Sequence, residues 1–261
     1  MNEIKILTKQ KMLSIKNLLQ KKYREDEGMF IVEGWKSIEE AAIAGIAIES
    51  IIYDAQKIEG TTVLTKFNRS TVEIFAAKTK ELESISDTVT SQGIIAVLPT
   101  FTKTTSIVSV MKQPSAVIVV LDAINDPGNL GTIIRTCDWF GVDALIIGKN
   151  SVDVYNPKVV RASMGSMFHF PILDETNLDN FLTTCQLEKF TIYSTELTKS
   201  DDVRKISFPK KCVVIIGNES HGVSPEISVF ANKKIRIPQF GKAESLNAAM
   251  ACGIILSKIK L

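Results

Sequence analysis

The sequence predicts an α/β protein divided into two domains, and three observations carry that prediction. Short β-branched apolar runs recur along the chain, among them Ile51-Ile52-Tyr53, Gly93–Leu98 (GIIAVL), Ala116–Leu121 (AVIVVL), Ala144–Ile147 and Cys212–Ile216. Helical patterns separate them, and this alternation marks a largely parallel sheet covered by helices. The chain has 261 residues, 45% of them hydrophobic and 23% charged, enough for two cores. The break is expected in Pro99–Pro114 (PTFTKTTSIVSVMKQP), which is bracketed by prolines and holds four threonines. The expected division is a small α/β domain over 1–98, a linker over 99–114 and a larger domain over 115–261.

In the first part, residues 4–24 carry Lys5, Lys9, Lys11, Lys16, Lys21, Lys22 and Arg24 with no acid between them. From Met12 onward Ile15, Leu18 and Leu19 follow at helical spacing, which predicts an amphipathic helix. Its basic face is either a solvated surface or a phosphate-contacting edge, since Lys and Arg supply the sequence-independent part of nucleic-acid affinity. Glu25–Gly28 breaks the pattern, Met29–Val32 is a buried strand, and a helix over Ser37–Ala44 stops at Gly45. Ile51–Tyr53 is the next strand, Thr62–Leu64 a possible third, Val72–Ala77 a helix, and Gly93–Leu98 the closing strand.

In the second part, AVIVVL is short enough for a buried parallel strand. A turn-rich loop, Asp122–Gly131, leads to a helix from Thr132 to Phe140, stopped by Gly141, and then to strand Ala144–Ile147. The glycines run GNLG rather than GxGxxG, so the dinucleotide fingerprint is absent. Asn129, just before the helix, and Arg135, on its polar face with Thr132 and Trp139, could meet one anion near the helix N-terminus. Asn129 as a cap and Arg135 as a surface ion-pair partner is the competing reading. Ser163–Phe168 looks like a helix end feeding strand Pro171–Leu173, with His169 structural. Thr191–Ser194 is another strand. CVVII ends at Gly217, followed by Asn218-Glu219-Ser220-His221-Gly222 and a helix start at Ser224-Pro225-Glu226. Glu219 is thus a carboxylate at the carboxyl end of a buried strand. In the closing stretch, Ile235 and Ile237 form a short strand ended by Pro238. A loop with Gly241 follows, and a helix of small residues opens at Ser245.

The totals exclude several classes. A net charge of +2 neither demands nor forbids a nucleic-acid partner. The four cysteines, Cys137, Cys185, Cys212 and Cys252, are widely spaced, with neither CxxC nor clustered histidines. No zinc site or disulfide framework is expected, and reduced thiols are the default. The polar start, MNEIKILTKQKM, is not a signal peptide, and no apolar run approaches the roughly 18 residues of a membrane span. A soluble, cytoplasmic protein is expected.

Three segments stand in order at strand ends: DPGNLGTIIRTCDWFG, VVIIGNESHGVSPEI and IRIPQFGKAESLNAAMACGIIL. Together, over roughly 115–261, they resemble the three motifs of the SpoU/TrmH family of RNA ribose 2′-O-methyltransferases, in the knotted SPOUT class. FIVEGWKSIEEA and SQGIIAVLP resemble the small substrate-binding domain that precedes many members. The resemblance implies a parallel sheet with helices on both faces and a deep trefoil knot, a homodimer, and an RNA substrate. It leans to large-subunit ribosomal RNA, with tRNA or a non-catalytic RNA-binding role as alternatives. It places Asn129 and Arg135 at the reacting ribose and its phosphate, with Glu219, Ser245 and Asn247 completing the catalytic set. S-adenosylmethionine, without a metal, would be held by loops around Thr195, Gly217, Ile237 and Leu246. The family's IPM is Ile237-Pro238-Gln239 here, a change in the cofactor loop. A nucleotide-binding enzyme of small metabolites is the more distant rival, opposed by the missing GxGxxG.

Overall fold

The computed structural model describes residues 4–67, 72–88, 90–101 and 104–261. Residues 102–103, in the stretch expected to be a linker, and 1–3 of the expected first domain lie outside the described residues. The chain forms two compact units, Met1–Phe101 with Tyr155–Phe168, and Thr102–Val154 with His169–Leu261.

In the first unit the elements run β1 (Ile4–Ile6), α1 (Lys9–Asn17), α2 (Lys21–Glu27), β2 (Met29–Glu33), α3 (Trp35–Ile43), β3 (Ser50–Asp54), α4 (Gly60–Phe67), β4 (Glu73–Ala77), α5 (Thr79–Ile85) and β5 (Ile94–Pro99). The five-stranded sheet has the order β1-β4-β3-β5-β2. Its β1, β4 and β3 are parallel, and β5 pairs antiparallel with both β3 and β2. Thr8 caps α1 by accepting from Lys11 N at 3.2 Å, and Gly28, at φ +62°, ends α2 in the left-handed region that favours glycine.

Three expectations for this unit are corrected. Thr62–Leu64 is helical, because Val63 and Phe67 bury one face of α4 at i, i+4 spacing. Val72–Ala77 contains strand β4, because pairing with β1 on one side and β3 on the other claims the backbone. The basic segment 4–24 is likewise not one helix but β1, α1 and α2. Much of its charge is used internally. Lys5 bonds Glu73 at 2.5 Å, Lys11 bonds Glu49 at 2.8 Å, Lys21 lies 3.5 Å from Glu25, and buried Arg24 donates to Leu18 O at 2.8 Å. Lys9, Lys16 and Lys22 are exposed, with no side-chain partner among the described residues.

The second unit begins with α6 (Thr104–Met111), β6 (Ala116–Leu121), α7 (Pro127–Trp139) and β7 (Ala144–Gly148). The chain then supplies α8 (Pro157–Ser163) and a 3₁₀ turn over Ser166–Phe168 to the first unit. There the Phe30 and Tyr155 rings lie 4.6 Å apart and Phe101 lies 5.9 Å from Phe168. It returns as β8 (Ile172–Thr176), α9 (Leu178–Leu187), β9 (Thr191–Thr195), β10 (Asp201–Asp202), β11 (Lys211–Ile216), α10 (Pro225–Ser228), β12 (Lys233–Arg236) and α11 (Ala248–Lys260). All seven strands are parallel, in the order β10-β12-β9-β11-β6-β7-β8.

Every residue of β6 is buried, as a strand covered on both faces requires. Ile118, Val120, Val213 and Ile215 meet α6, α9 and α10 on one face, while α7 and α11 pack together on the other. The expected linker is therefore largely structured. Pro99 pairs with Met29, and Ile107, Val110 and Met111 are buried in the core of the second unit. Two helix starts also move. α7 begins at Pro127 because Asp126 caps it, accepting from Asn129 N at 2.7 Å, with Pro127 at the first helical position. α11 is capped by Asn247, not Ser245.

Candidate active site

Because the sheet of the second unit is parallel, the carboxyl ends of β6, β9, β11 and β12 share one edge, the usual place for ligands in open α/β sheets. The loops there are 122–126, 217–224 and 237–247. The middle one is built around Gly217. A Cβ there would fall 2.1 Å from Gly222 C and 2.2 Å from Val223 N, so only glycine fits. Asn218 and Gly222 exchange backbone hydrogen bonds at 3.0 and 2.9 Å. The Asn218 side chain donates to Ala123 O at 2.9 Å and accepts from Ser220 N at 2.8 Å. Ser224 N donates to Asp122 Oδ2 at 2.8 Å. The 217–224 loop is thus stitched to the 122–126 loop.

On that frame three of the five expected catalytic residues meet. Asn129 Nδ2 donates to Glu219 Oε1 at 2.5 Å, and Asn247 Nδ2 donates to Asn129 Oδ1 at 2.8 Å. Asn247 Oδ1 in turn accepts from Ala249 N at 3.0 Å and Met250 N at 3.2 Å, so the network ends in the cap of α11. These bonds fix the Asn129 amide in one orientation, with its oxygen occupied and one N–H left for a ligand.

Arg135 is not drawn into the network. It is exposed on α7, six residues and therefore about 9 Å along the axis from Asn129, with no side-chain partner among the described residues. Asn129 sits inside the first turn rather than ahead of the helix, with its amide oxygen and one N–H bonded to Asn247 and Glu219. Ser245 is exposed ahead of α11 and has no side-chain partner among the described residues.

The four expected cofactor positions are at the same edge. Thr195 ends β9, Gly217 and Ile237 follow β11 and β12, and Leu246 precedes α11. The Thr195 hydroxyl donates to Ile215 O at 2.9 Å. The main-chain groups of Gly217, Ile237 and Leu246 make no hydrogen bond to a described residue. Unpaired amides and carbonyls beside apolar side chains suit a flat heteroaromatic ligand read by the backbone, so the donor set fits S-adenosylmethionine. Glu196, next to Thr195, is held below the usual carboxylate range. Burial alone would raise it, but hydrogen bonds from Ser228 and Lys234 outweigh that.

Sulfur chemistry is disfavoured. Burial pushes the Cys137 thiol up, Cys185 up to about 12 and Cys212 up to about 11, so none is a ready thiolate. Among the described residues no three His, Cys, Asp or Glu side chains gather as metal ligands. Among the described residues no helix is long and apolar enough to cross a membrane. His169 bonds Asp138 at 2.8 Å, away from the network. Sequence reasoning missed Asp122, Asp126 and Asn218. Asp126 followed by proline was a readable cap signal. The Asn218–Ala123 bond spans 95 positions and had no local signal.

Comparison with known proteins gives one consistent answer. Residues 116–257 match the model of the SpoU rRNA Methylase family, and residues 9–96 match an MRM3-like substrate binding domain. The chain is 29% identical to the 23S rRNA (guanosine(2553)-2′-O)-methyltransferase RlmP of Bacillus subtilis, over 100% of both chains. Among solved structures, an AdoMet-bound rRNA methyltransferase from Sinorhizobium meliloti is 31% identical, with a TM-score of 0.87 over 98% of this chain and 96% of that one. The SpoU methyltransferase AviRb from Streptomyces viridochromogenes, in complex with AdoMet, is 26% identical, with a TM-score of 0.85 over 96% and 97%.

Proposed function

The chain belongs to the SpoU rRNA methylase family, and from that premise we propose that it transfers a methyl group from S-adenosylmethionine to a ribose 2′-hydroxyl of large-subunit ribosomal RNA. The observation that carries the reading is the bonded set Asn129, Glu219 and Asn247. It gathers one residue from each of three distant segments at the ligand-binding edge of the sheet.

The donor supplies an electrophilic methyl on a sulfonium. The chain holds it through Thr195 and the unpaired main chain of Gly217, Ile237 and Leu246. When bound, the donor would offer its methyl to the ribose oxygen, its sulfur–carbon bond breaking to leave a neutral thioether while the hydroxyl proton passes to solvent. Asn129 points its remaining N–H at the ribose, and Glu219 and Asn247 keep the amide from rotating. Arg135 binds the adjacent phosphate through its guanidinium and stabilises the developing alkoxide. Ser245 lies on the loop that covers the donor. No step requires a metal.

The first unit is the RNA-holding domain in this reading, and Lys9, Lys16 and Lys22 are among the exposed cations it offers. A homodimer is the working form. Trp139 on α7 and Met250 and Ile254 on α11 are 85%, 59% and 41% exposed, an apolar surface that a second copy would bury. Family membership supports a trefoil knot and a cytoplasmic location. Two measurements test the function: methyl transfer from labelled donor to ribosomal RNA, and mapping of the ribose methylations lost on gene deletion. Loss of a tRNA methylation would reassign the substrate, and binding of RNA without methyl transfer would leave a non-catalytic protein.

A further inference from the structure

The outer edge of the seven-stranded sheet, β10 with its neighbour β12, takes no part in the Asn129–Glu219–Asn247 network. Residues 196–205 and 233–244, which make this edge and its turns, hold seven cations against four acids, whereas the whole chain is only +2. Two of the acids are engaged: Glu196 with Lys234 at 2.9 Å, and Asp202 with Arg204. Lys199, Lys205, Lys233, Arg236 and Lys242 are exposed and form no ion pair with a described residue.

On the same edge Phe240 is 85% exposed. The Arg204 guanidinium lies over its ring, 5.4 Å from the centroid. That guanidinium is itself fixed, since Nε donates to Asp202 Oδ1 and Oδ2 at 3.1 and 3.0 Å and Nη2 donates to Oδ2 at 2.6 Å. The loop bearing the ring is folded by Gln239, whose Nε2 donates to Gly241 O at 3.0 Å and Ala243 O at 2.6 Å. Further along, the same loop carries Ser245 and Asn247.

An exposed aromatic ring, a fixed guanidinium and five unpaired cations are the chemistry that takes stacked bases and their phosphates. Resting on the reading of the chain as an RNA methyltransferase, we propose that this edge holds the single-stranded RNA beside the target nucleotide. One base stacks on Phe240, and the backbone lies along the cations. A duplex offers no free base face to the ring. A second copy, meeting this patch with its own, would set like charges together, and a cationic sulfonium donor gains nothing from five positive side chains.

The test uses the full chain and a single-stranded ribosomal RNA fragment that the wild type methylates. Phe240→Ala should weaken RNA binding about tenfold, and Phe240→Trp should restore it. The triple variant Lys205→Ala, Lys233→Ala, Lys242→Ala should reduce the slope of log affinity against log salt by about 2. Donor affinity by calorimetry and mass by sedimentation should match the wild type in all three. Unchanged RNA binding by Phe240→Ala in an otherwise active enzyme overturns the proposal. So does a fall in donor affinity, which would put the ring against the cofactor, or a change in mass, which would put it at a subunit contact. A wild type that neither binds nor methylates RNA overturns the functional reading as well.

Discussion

The loops that follow β11 and β12 leave the same edge of the sheet, yet they are built in opposite ways. Residues 217–224 are closed by Gly217 against Gly222, by both ends of the Asn218 amide, and by Asp122 on Ser224. Residues 239–247 are all exposed, and apart from the cap of α11 they rest on Gln239, the Arg204–Phe240 contact and the Asn247–Asn129 bond. The first loop sets its geometry before any ligand arrives. The second has little to hold it until one does, as expected of a ligand-binding segment. Among the site residues, Asn129, Glu219 and Asn247 are bonded in advance, whereas Arg135 and Ser245 have no side-chain partner among the described residues.

The strongest way to break this contrast is Gly217→Ala. The new Cβ meets backbone rather than a movable side chain, so unfolding by denaturant should show a loss of about 3 kcal/mol. A wild-type midpoint would mean that the loop is not fixed. Arg135→Ala should leave stability and donor binding intact while methyl transfer falls about 100-fold. Near-wild-type single-turnover rates would remove Arg135 from the site. Asn129→Ala strips both Glu219 and Asn247 of a partner and should cost about 1–2 kcal/mol of stability along with activity. If activity falls and stability does not, the network is assembled by the ligand instead. Asn247→Ala removes a helix cap worth about 1 kcal/mol. Asn247→Asp keeps the cap oxygen but loses the donor to Asn129, so it should regain stability without regaining activity. Ser245→Ala is the smallest change. Its unfolding free energy should stay within about 0.5 kcal/mol of wild type, and any defect should be confined to donor affinity. A larger stability loss would show that the open loop is held after all.

What the sequence revealed follows from how local the signals were. β6, β7 and β11 were legible because parallel strands buried on both faces must be continuous apolar runs. Val72–Ala77 was not, since such a run suits a helix or a strand equally and only its pairing with β1 and β3 decides. The start of α7 was misplaced because two glycines in GNLG outweighed the Asp126-Pro127 signal, although Gly131 sits buried inside the helix. In the site, the motif resemblance picked out Asn129, Glu219 and Asn247, but nothing in the sequence said that they bond to one another. The frame beneath them, Asn218 on Ala123 and Asp122 on Ser224, joins segments 95 and 102 positions apart. Such pairs exist only in the folded chain.

Tyr155–Phe168, which completes the first unit from within the second part of the chain, constrains how the molecule is made. Phe101 N bonds the Tyr155 hydroxyl at 2.9 Å, and the Phe30, Phe101, Tyr155 and Phe168 rings form one aromatic set. Residues 1–101 emerging from a ribosome therefore carry an unfilled socket. It stays open while β6, α7 and β7 are synthesised and closes only after residue 168 has cleared the exit tunnel. The amino-terminal unit begins folding first but cannot finish until part of the second unit has been made, and neither unit can be cut out of the gene as a single uninterrupted piece.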